Sequence, residues 1–397
     1  MSLRDSAMDL APDLVRLRHA LHRDPEVGLD LPRTQEKVLA ALDGAALEIT
    51  TGSALTSVVA VLRGGRPGPV VLLRGDMDAL PVIERAPVPF ASRNGAMHAC
   101  GHDLHTAMLV GAAHLLAARR ADVAGDVVLM FQPGEEGWDG AKAMLAEGVL
   151  DAAGRLPVAA YALHVTSAAV PRGVVATRPG PMLAASAALT VTVHGEGGHG
   201  SAPHRAADPI PATCEMVTAL QTMVTRRFDV FDPVVVTVGV LRAGTRRNVI
   251  PETAEFEATV RTFSAGAAAR VADAAVVLVR QIAAAHGLRA DVAYEPEYPL
   301  TVNDDAETGF LSATVREVFG DERLVPMPTP LTGSEDFSRI LDAVPGAMAM
   351  LGVCHPGTDP STAAYNHSPH AEFDDTFLAD GAALYAELAM RRLTAAT

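Results

Sequence analysis

The sequence predicts an α/β protein of two domains, in which a mainly parallel sheet flanked by helices is interrupted by a smaller ferredoxin-like βαββαβ unit. Three observations predict this. At 397 residues the chain exceeds the usual size of one compact domain. Up to residue 180 or so, short apolar runs alternate with longer amphipathic stretches, the rhythm of strands joined by crossover helices. From residue 184 the order becomes strand, helix, strand, strand, helix, strand, and after Pro299 the first rhythm resumes. The expected boundaries are 1–183 and 299–397 for the first domain and 184–298 for the inserted one.

Each element has its origin in a local pattern. The apolar runs Pro69 to Leu73, Asp126 to Phe131 and Val158 to Leu163 read as buried strands. Between them, Leu104, Met108, Leu109, Ala112, Leu115 and Leu116 recur at helical spacing, and Ala141 to Leu150 forms a second helix that Gly148 stops. In the insertion the strands are Ala188 to Val193, Val234 to Leu241, Ala254 to Phe263 and Ala290 to Tyr294. Its helices are Asp208 to Thr225 and Ala265 to His286. After Pro299 come a helix around Phe310 to Val318, a helix over Glu335 to Leu341, a buried run Ala347 to Val353 and a closing helix that ends at Arg392.

Composition narrows the function. A formal charge of -15 with no basic run argues against nucleic acid, whose binders cluster Lys and Arg to neutralise phosphates. The N-terminus Met1-Ser2-Leu3-Arg4-Asp5-Ser6 leads into a mixed polar and apolar pattern, and no stretch has the length of a membrane span. A cytoplasmic protein with no membrane partner is therefore expected. The three cysteines, Cys100, Cys214 and Cys354, are odd in number and widely spaced, which speaks against a disulfide framework. Nine of the 14 histidines fall in three groups, at 98–105, 194–204 and 355–370, where surface histidines would scatter.

Ligand sites of open α/β sheets lie beyond the carboxyl ends of strands, so the residues just past each apolar run matter most. Leu73 runs into Arg74-Gly75-Asp76-Met77-Asp78, Phe131 into Gln132-Pro133-Gly134-Glu135-Glu136, Leu163 into His164, and Val353 into Cys354-His355, with Asn366-His367 soon after. Cys100 and His102, two residues apart, cannot share a helical face but suit a loop that enters a helix, with Gly101 easing the turn. Thiolate, imidazole and carboxylate together suit a borderline ion such as zinc, manganese, cobalt or nickel. Adjacent side chains diverge, so one of Glu135 and Glu136 can hold metal while the other serves as general base. Locally, other readings stand: Cys100 as a buried bystander or as a nucleophile beside a histidine, Glu135-Glu136 as a solvated turn, His164 as a core histidine, Gly197-Gly198-His199-Gly200 as a plain turn, and Arg261 as an outward-facing strand charge.

Taken in order, the motifs resemble the M20 metallopeptidase family, and within it the amidohydrolase branch of hippurate hydrolases, N-acyl-amino-acid amidohydrolases and indole-acetyl-amino-acid hydrolases. The resemblance runs from Leu21-His22-Arg23-Asp24-Pro25-Glu26 through Arg74 to Pro81, Cys100 to His105, Phe131 to Gly137, Ala162 to Val165, Gly197 to Gly200, Asn248 to Pro251 and Gly333 to Phe337, as far as Asn366-His367-Ser368-Pro369. It implies that Cys100, His102, Glu136, His164 and His367 hold two divalent metal ions and that Glu135 is the general base. It also implies that Asp78 orients a histidine ligand, with Asp103 doing similar work. The inserted domain is then a lid and dimerisation module, with a homodimer expected. In it His199 stabilises the oxyanion, in its own subunit or across the dimer, and Asn248 and Arg261 hold the substrate's α-carboxylate.

The reaction so implied is amide hydrolysis of a small-molecule N-acyl amino acid to a carboxylic acid and a free amino acid. The alternatives are a dipeptidase, carboxypeptidase or aminoacylase of the same family, a thiol hydrolase using Cys100, and a non-catalytic metal-binding protein. Gly134, Trp138-Asp139 and Arg246-Arg247 depart from the branch's usual pattern, and these departures bear on the substrate rather than on the chemistry.

Overall fold

A computed structural model describes residues 1–395. The chain divides into two compact units, 1–182 with 302–329 and 336–397, and 183–301 with 330–335. Among the described residues no helix is long and apolar enough to cross a membrane.

The first unit is built on an eight-stranded sheet in the order Glu48–Thr51, Val58–Arg63, Ala124–Gln132, Arg66–Asp76, Ala159–Thr166, Gly346–Gly352, Val175–Thr177, Leu324–Pro326. Its four central strands, from Ala124–Gln132 to Gly346–Gly352, run parallel. They are buried almost throughout, as strands covered on both faces must be. The pair Glu48–Thr51 and Val58–Arg63 joins one side antiparallel, which gives the large sheet a mixed edge.

The helix His102–Ala118 is buried along nearly its whole length rather than on one stripe. It packs against Leu3–His22 and Leu378–Ala395. Gly111 permits the close approach, since a Cβ there would lie 2.7 Å from Ala382 Cβ and 2.9 Å from Leu14 Cδ1. The N-terminal helix Leu3–His22 buries Leu3, Ala7, Leu14 and Leu21, which recur at helical spacing, and a capping box between Ser2 and Asp5 fixes its start.

Two expected helices are shorter than their patterns. Gly140–Ala146 ends early and a 3-10 turn, Val149–Asp151, continues the segment. Ser338–Leu341 begins three residues later than Glu335, because Asp336 is taken up by other contacts. Its carboxylate accepts from Arg74 Nη2 at 3.0 Å, from Gln132 Nε2 at 2.8 Å and from the backbone N–H of Ala141 at 2.9 Å. Arg74 in turn pairs with Asp76 at 2.5 Å, and all three charged side chains are fully buried.

The second unit is an antiparallel sheet in the order Val234–Ala243, Thr253–Thr262, Ala185–His194, Arg289–Pro296. With the helices Pro209–Arg227 and Ala265–Ala285 this is the ferredoxin-like connection. Alternate residues Ala187, Leu189, Val191 and Val193 meet Phe256, Ala258 and Val260 and the helical Met216, Leu220, Val271 and Val279 in one core. Side-chain caps start both helices, Asp208 on the N–H of Ile210 and Ser264 on that of Ala267. Pro330–Glu335 also goes with this unit, although the expected boundaries leave it with the other. The cause is local: the Ala184 N–H lies within bonding distance of both the Leu331 and the Gly333 carbonyl, at 3.1 and 2.9 Å.

Asp336→Ala leaves Arg74 its pairing with Asp76 but removes the buried acceptor that Arg74 Nη2, Gln132 Nε2 and the Ala141 N–H share. The variant should destabilise the chain by about 3–5 kcal/mol in denaturant titrations; a loss well under 1 kcal/mol would show that the remaining contacts of this network suffice without Asp336.

Candidate metal centre

The four parallel strands end at one edge of the sheet, and the candidate residues gather there. Asp78 stands two residues past Asp76, Glu135 and Glu136 three and four past Gln132, and His164 two residues before the end of its strand at Thr166. The helix His102–Ala118 starts against this edge. Its N-cap, Gly101, has φ 82°, and a Cβ there would fall 2.3 Å from Val165 Cγ2. Only glycine accommodates both the left-handed backbone and that approach.

A second loop arrives from the C-terminal part of the chain. Asn366 stitches it in place, donating to the carbonyls of Cys100 at 3.2 Å and Val165 at 3.0 Å and accepting from the Ser167 N–H at 3.0 Å. The next residue, His367, bonds through its N–H to the Ala99 carbonyl at 2.8 Å and sits at φ 72°. A non-glycine residue in that region is strained, and such strain collects at functional sites.

These segments bring five expected ligands together. Cys100 Sγ is 3.4 Å from His164 Nε2, His367 Nε2 is 3.1 Å from Glu136 Oε1, and His102 Nε2 is 4.0 Å from the same oxygen. Three overlapping trios have donor atoms within 4.8 Å of one another: Cys100, His102 and His164; Cys100, Glu136 and His367; His102, Glu135 and Glu136. The first two trios share Cys100, so its thiolate lies within reach of two neighbouring cation positions. Cys100, His102 and Glu135 are buried, while His367 is exposed.

The donor set fits divalent cations on its hydrogen bonding as well. Neither ring nitrogen of His102 has a hydrogen-bond partner among the described residues, although both are buried. A dry, unpaired imidazole is costly unless a ligand completes it. His164 donates from Nδ1 to the Val165 carbonyl at 2.7 Å, which leaves the Nε2 lone pair facing Cys100.

Charges reinforce one another across the cluster. Burial pushes the Cys100 thiol up, but the closeness of His164 and His102 brings it well below the ordinary thiol range. Burial lowers His102, and the charge of Asp76 with Asp78 and Cys100 holds it well above the usual value. Hydrogen bonds to Cys100 and Glu136 raise His367 to about 10. Each imidazole is thus drawn toward positive charge by the thiolate and carboxylates around it, the field a metal ion would satisfy.

Behind the donors lies a second layer. Asp78 accepts from the N–H groups of Glu135 and Glu136, both at 3.0 Å, and stands 3.4 Å from His102 Nδ1. It therefore fixes the glutamate loop and faces the histidine. Asp103, expected to orient a histidine ligand, instead turns to the N-terminal helix and accepts from Arg18 Nε at 2.7 Å and His22 Nδ1 at 2.8 Å. Its neighbour on the helix, His105, is clamped between Asp76 Oδ1 at 2.5 Å and the N–H of Val165 at 2.7 Å.

Sequence reasoning gives Asp76, Asn366 and His105 no such parts. Arg74 and Asp76 lie at two-residue spacing within one strand, so strand alternation is the signal that places both on one side. Nothing in the local sequence marks Asn366 as a bridge, because its partners are backbone groups of distant segments.

Three expected residues belong to the second unit. His199 pairs with Val249 in a short two-stranded ladder, and its Nδ1 accepts from Ser201, leaving Nε2 as the donor. Asn248 accepts from the Gly200 N–H through its carbonyl at 2.9 Å. Arg261 Nη1 donates to Ser334 Oγ at 3.2 Å.

Known proteins share this sequence pattern and architecture. Residues 72–391 match the model of peptidase family M20/M25/M40. Thermostable carboxypeptidase 2 of Saccharolobus solfataricus is 35% identical over 395 residues, covering 98% of both chains. The IAA-amino acid hydrolase ILR1-like 4 of Arabidopsis thaliana is 37% identical over 385 residues, 96% of this chain and 86% of that one. A crystal structure from Bacillus subtilis, described as a dinuclear metal binding peptidase from the M20 family, is similar with a TM-score of 0.83 at 31% identity, covering 98% of this chain and 99% of the other.

The packing at Gly101 makes its own prediction. Gly101→Ala must shift the entry of the helix away from Val165, so it should lower stability by about 1–3 kcal/mol. It should also weaken zinc binding at least roughly tenfold in competition with a chromophoric chelator; unchanged zinc affinity would detach the helix entry from the cluster.

Proposed function

The chain belongs to peptidase family M20/M25/M40, and on that premise we propose that it is a metal-dependent hydrolase cleaving the amide bond of N-acyl amino acids to a carboxylic acid and a free amino acid. The observation that carries this reading is the convergence of Cys100, His102, Glu136, His164 and His367, with the buried Glu135 beside them. The relatives support it from the substrate side. A carboxypeptidase and an amino-acid-conjugate hydrolase both act on an amide whose amine half is an amino acid. The carboxypeptidase is also the basis of the second reading, in which the acyl half is itself a peptide.

Cys100, His102, Glu136, His164 and His367 would hold two divalent cations, which supply Lewis acidity, lowering the pKa of water and neutralising charge that develops on the acyl oxygen. The chain's own groups do the rest. Glu135, its loop fixed by Asp78, takes a proton from the attacking water and returns it to the leaving amine nitrogen. The carbon–nitrogen bond breaks, hydroxide joins the acyl carbon and the proton joins the amine. His199, with Ser201 holding Nδ1 as an acceptor, donates from Nε2 to the oxyanion. Arg261 and Asn248 bind the α-carboxylate, Arg261 through its planar fork.

A cytoplasmic location accords with three cysteines that are all free. A homodimer would form through the second unit, whose edge strand Val234–Ala243 exposes Val235 and Leu241.

Glu135→Gln keeps the shape of the side chain and removes its basicity. The variant should retain fold and metal content yet lose about 10²- to 10⁴-fold in kcat on N-acyl amino acids; near wild-type turnover in a folded, metal-loaded preparation would remove Glu135 from the proton path.

A further inference from the structure

Trp138 is the one tryptophan of the chain, and amide hydrolysis by the groups around Cys100 gives it no task. It stands two residues after Glu136 and is 55% exposed. Among the described residues of the first unit, the exposed aromatic side chains are Trp138 and Tyr365, and Tyr365 stands two residues before His367. The loops that carry these two aromatics meet where Glu136 and His367 approach at 3.1 Å. In a chain with only 4% aromatic residues, that placement is the feature to explain.

The indole is also held, not loosely displayed. One face rests on Gly28, a buried residue at φ 85° where a Cβ would lie 3.1 Å from indole Cε2 and 3.4 Å from Cδ2 and Cζ2. Below it, a Cβ on Gly134 would meet Trp138 Cβ at 3.1 Å and Leu29 Cδ2 at 2.4 Å. On either side the backbone is left-handed, at Gly137 with φ 83° and at Asp139 with φ 55°. Arg339 clamps Asp139 through two bonds of 2.8 and 3.1 Å, and the Gly140 N–H closes the loop on the Gly134 carbonyl at 3.0 Å. A strained, braced loop that seats a half-exposed indole on bare backbone is preorganised for stacking.

We propose that Trp138 recognises the acyl group of the substrate, and that the chain accordingly prefers amino acids acylated with a planar aromatic group over their acetylated counterparts. The inference rests on the amide-hydrolase reading. There the amino-acid half is assigned to Asn248 and Arg261 and the scissile bond to Glu135 and the ligand cluster, so the acyl half is the part of the substrate still without a partner. A half-exposed indole, two residues along the chain from Glu136, suits a ring, and offers little to a methyl group.

The lone tryptophan lets the idea be read without turnover. Phenylacetate, titrated into the zinc-loaded wild type, should change tryptophan emission saturably, whereas acetate should leave it unchanged. Phenylacetate that binds by calorimetry yet leaves the emission unaltered would overturn the proposal. In kinetics, Trp138→Ala should lower the ratio of kcat/KM for N-phenylacetyl-alanine over N-acetyl-alanine about tenfold, and Trp138→Phe should restore most of it. Equal losses on both substrates would overturn it. A wild type that hydrolyses no amide at all would sink the parent reading, and the emission experiment would still decide this one.

Discussion

A thiol, imidazoles and paired carboxylates buried at one sheet edge can persist only if their charges and lone pairs are matched, and this requirement organises the first unit. The cost of a dry, unpaired polar group is several times the gain from an ordinary hydrogen bond. His102, with both nitrogens buried and unbonded, is the sharpest case. Divalent cations meet that demand while supplying the chemistry that amide hydrolysis needs.

The surroundings of the cluster can be understood as its supports. Arg74 pairs with both Asp76 and Asp336, and Gln132 donates to Asp336, which ties the strand that leads to Asp78 to the strand that leads to Glu135. Asp103 ties the first turn of the helix His102–Ala118 to Arg18 and His22. Asn366 fastens the loop that ends in His367. Each of these groups acts by position, and none needs to touch a substrate. The same economy of motion extends to Trp138, whose loop is braced by Arg339 rather than left free.

Much of this is legible in the sequence, and the limits have physical causes. Continuous apolar runs reveal the central strands, because those are buried on both faces. Period-two and 3.6-residue patterns reveal the ferredoxin-like order, whose strands and helices have one face in the core. Ligand types stand out just past strand ends, as with Glu135-Glu136, or near them, as with His164. What escapes depends on contacts between distant segments: the turn of Asp103 toward Arg18, the bridging by Asn366, and the capture of Asp336 that delays its helix to Ser338. The helix His102–Ala118 is legible only in part. Its period shows, but burial on all sides erases the polar stripe that tells which face points inward. Pro330–Glu335 escapes assignment from sequence as well, because its place is set by the backbone of Ala184.

The central claim is that the cluster around Cys100 holds metal and that catalysis depends on it. Elemental analysis of fully active enzyme, followed as a chelator removes activity and a divalent salt restores it, tests this most directly. The account predicts two divalent ions per chain at full activity, with turnover tracking their occupancy. Full activity in a chain stripped of divalent ions would contradict it and return Cys100 to the role of nucleophile.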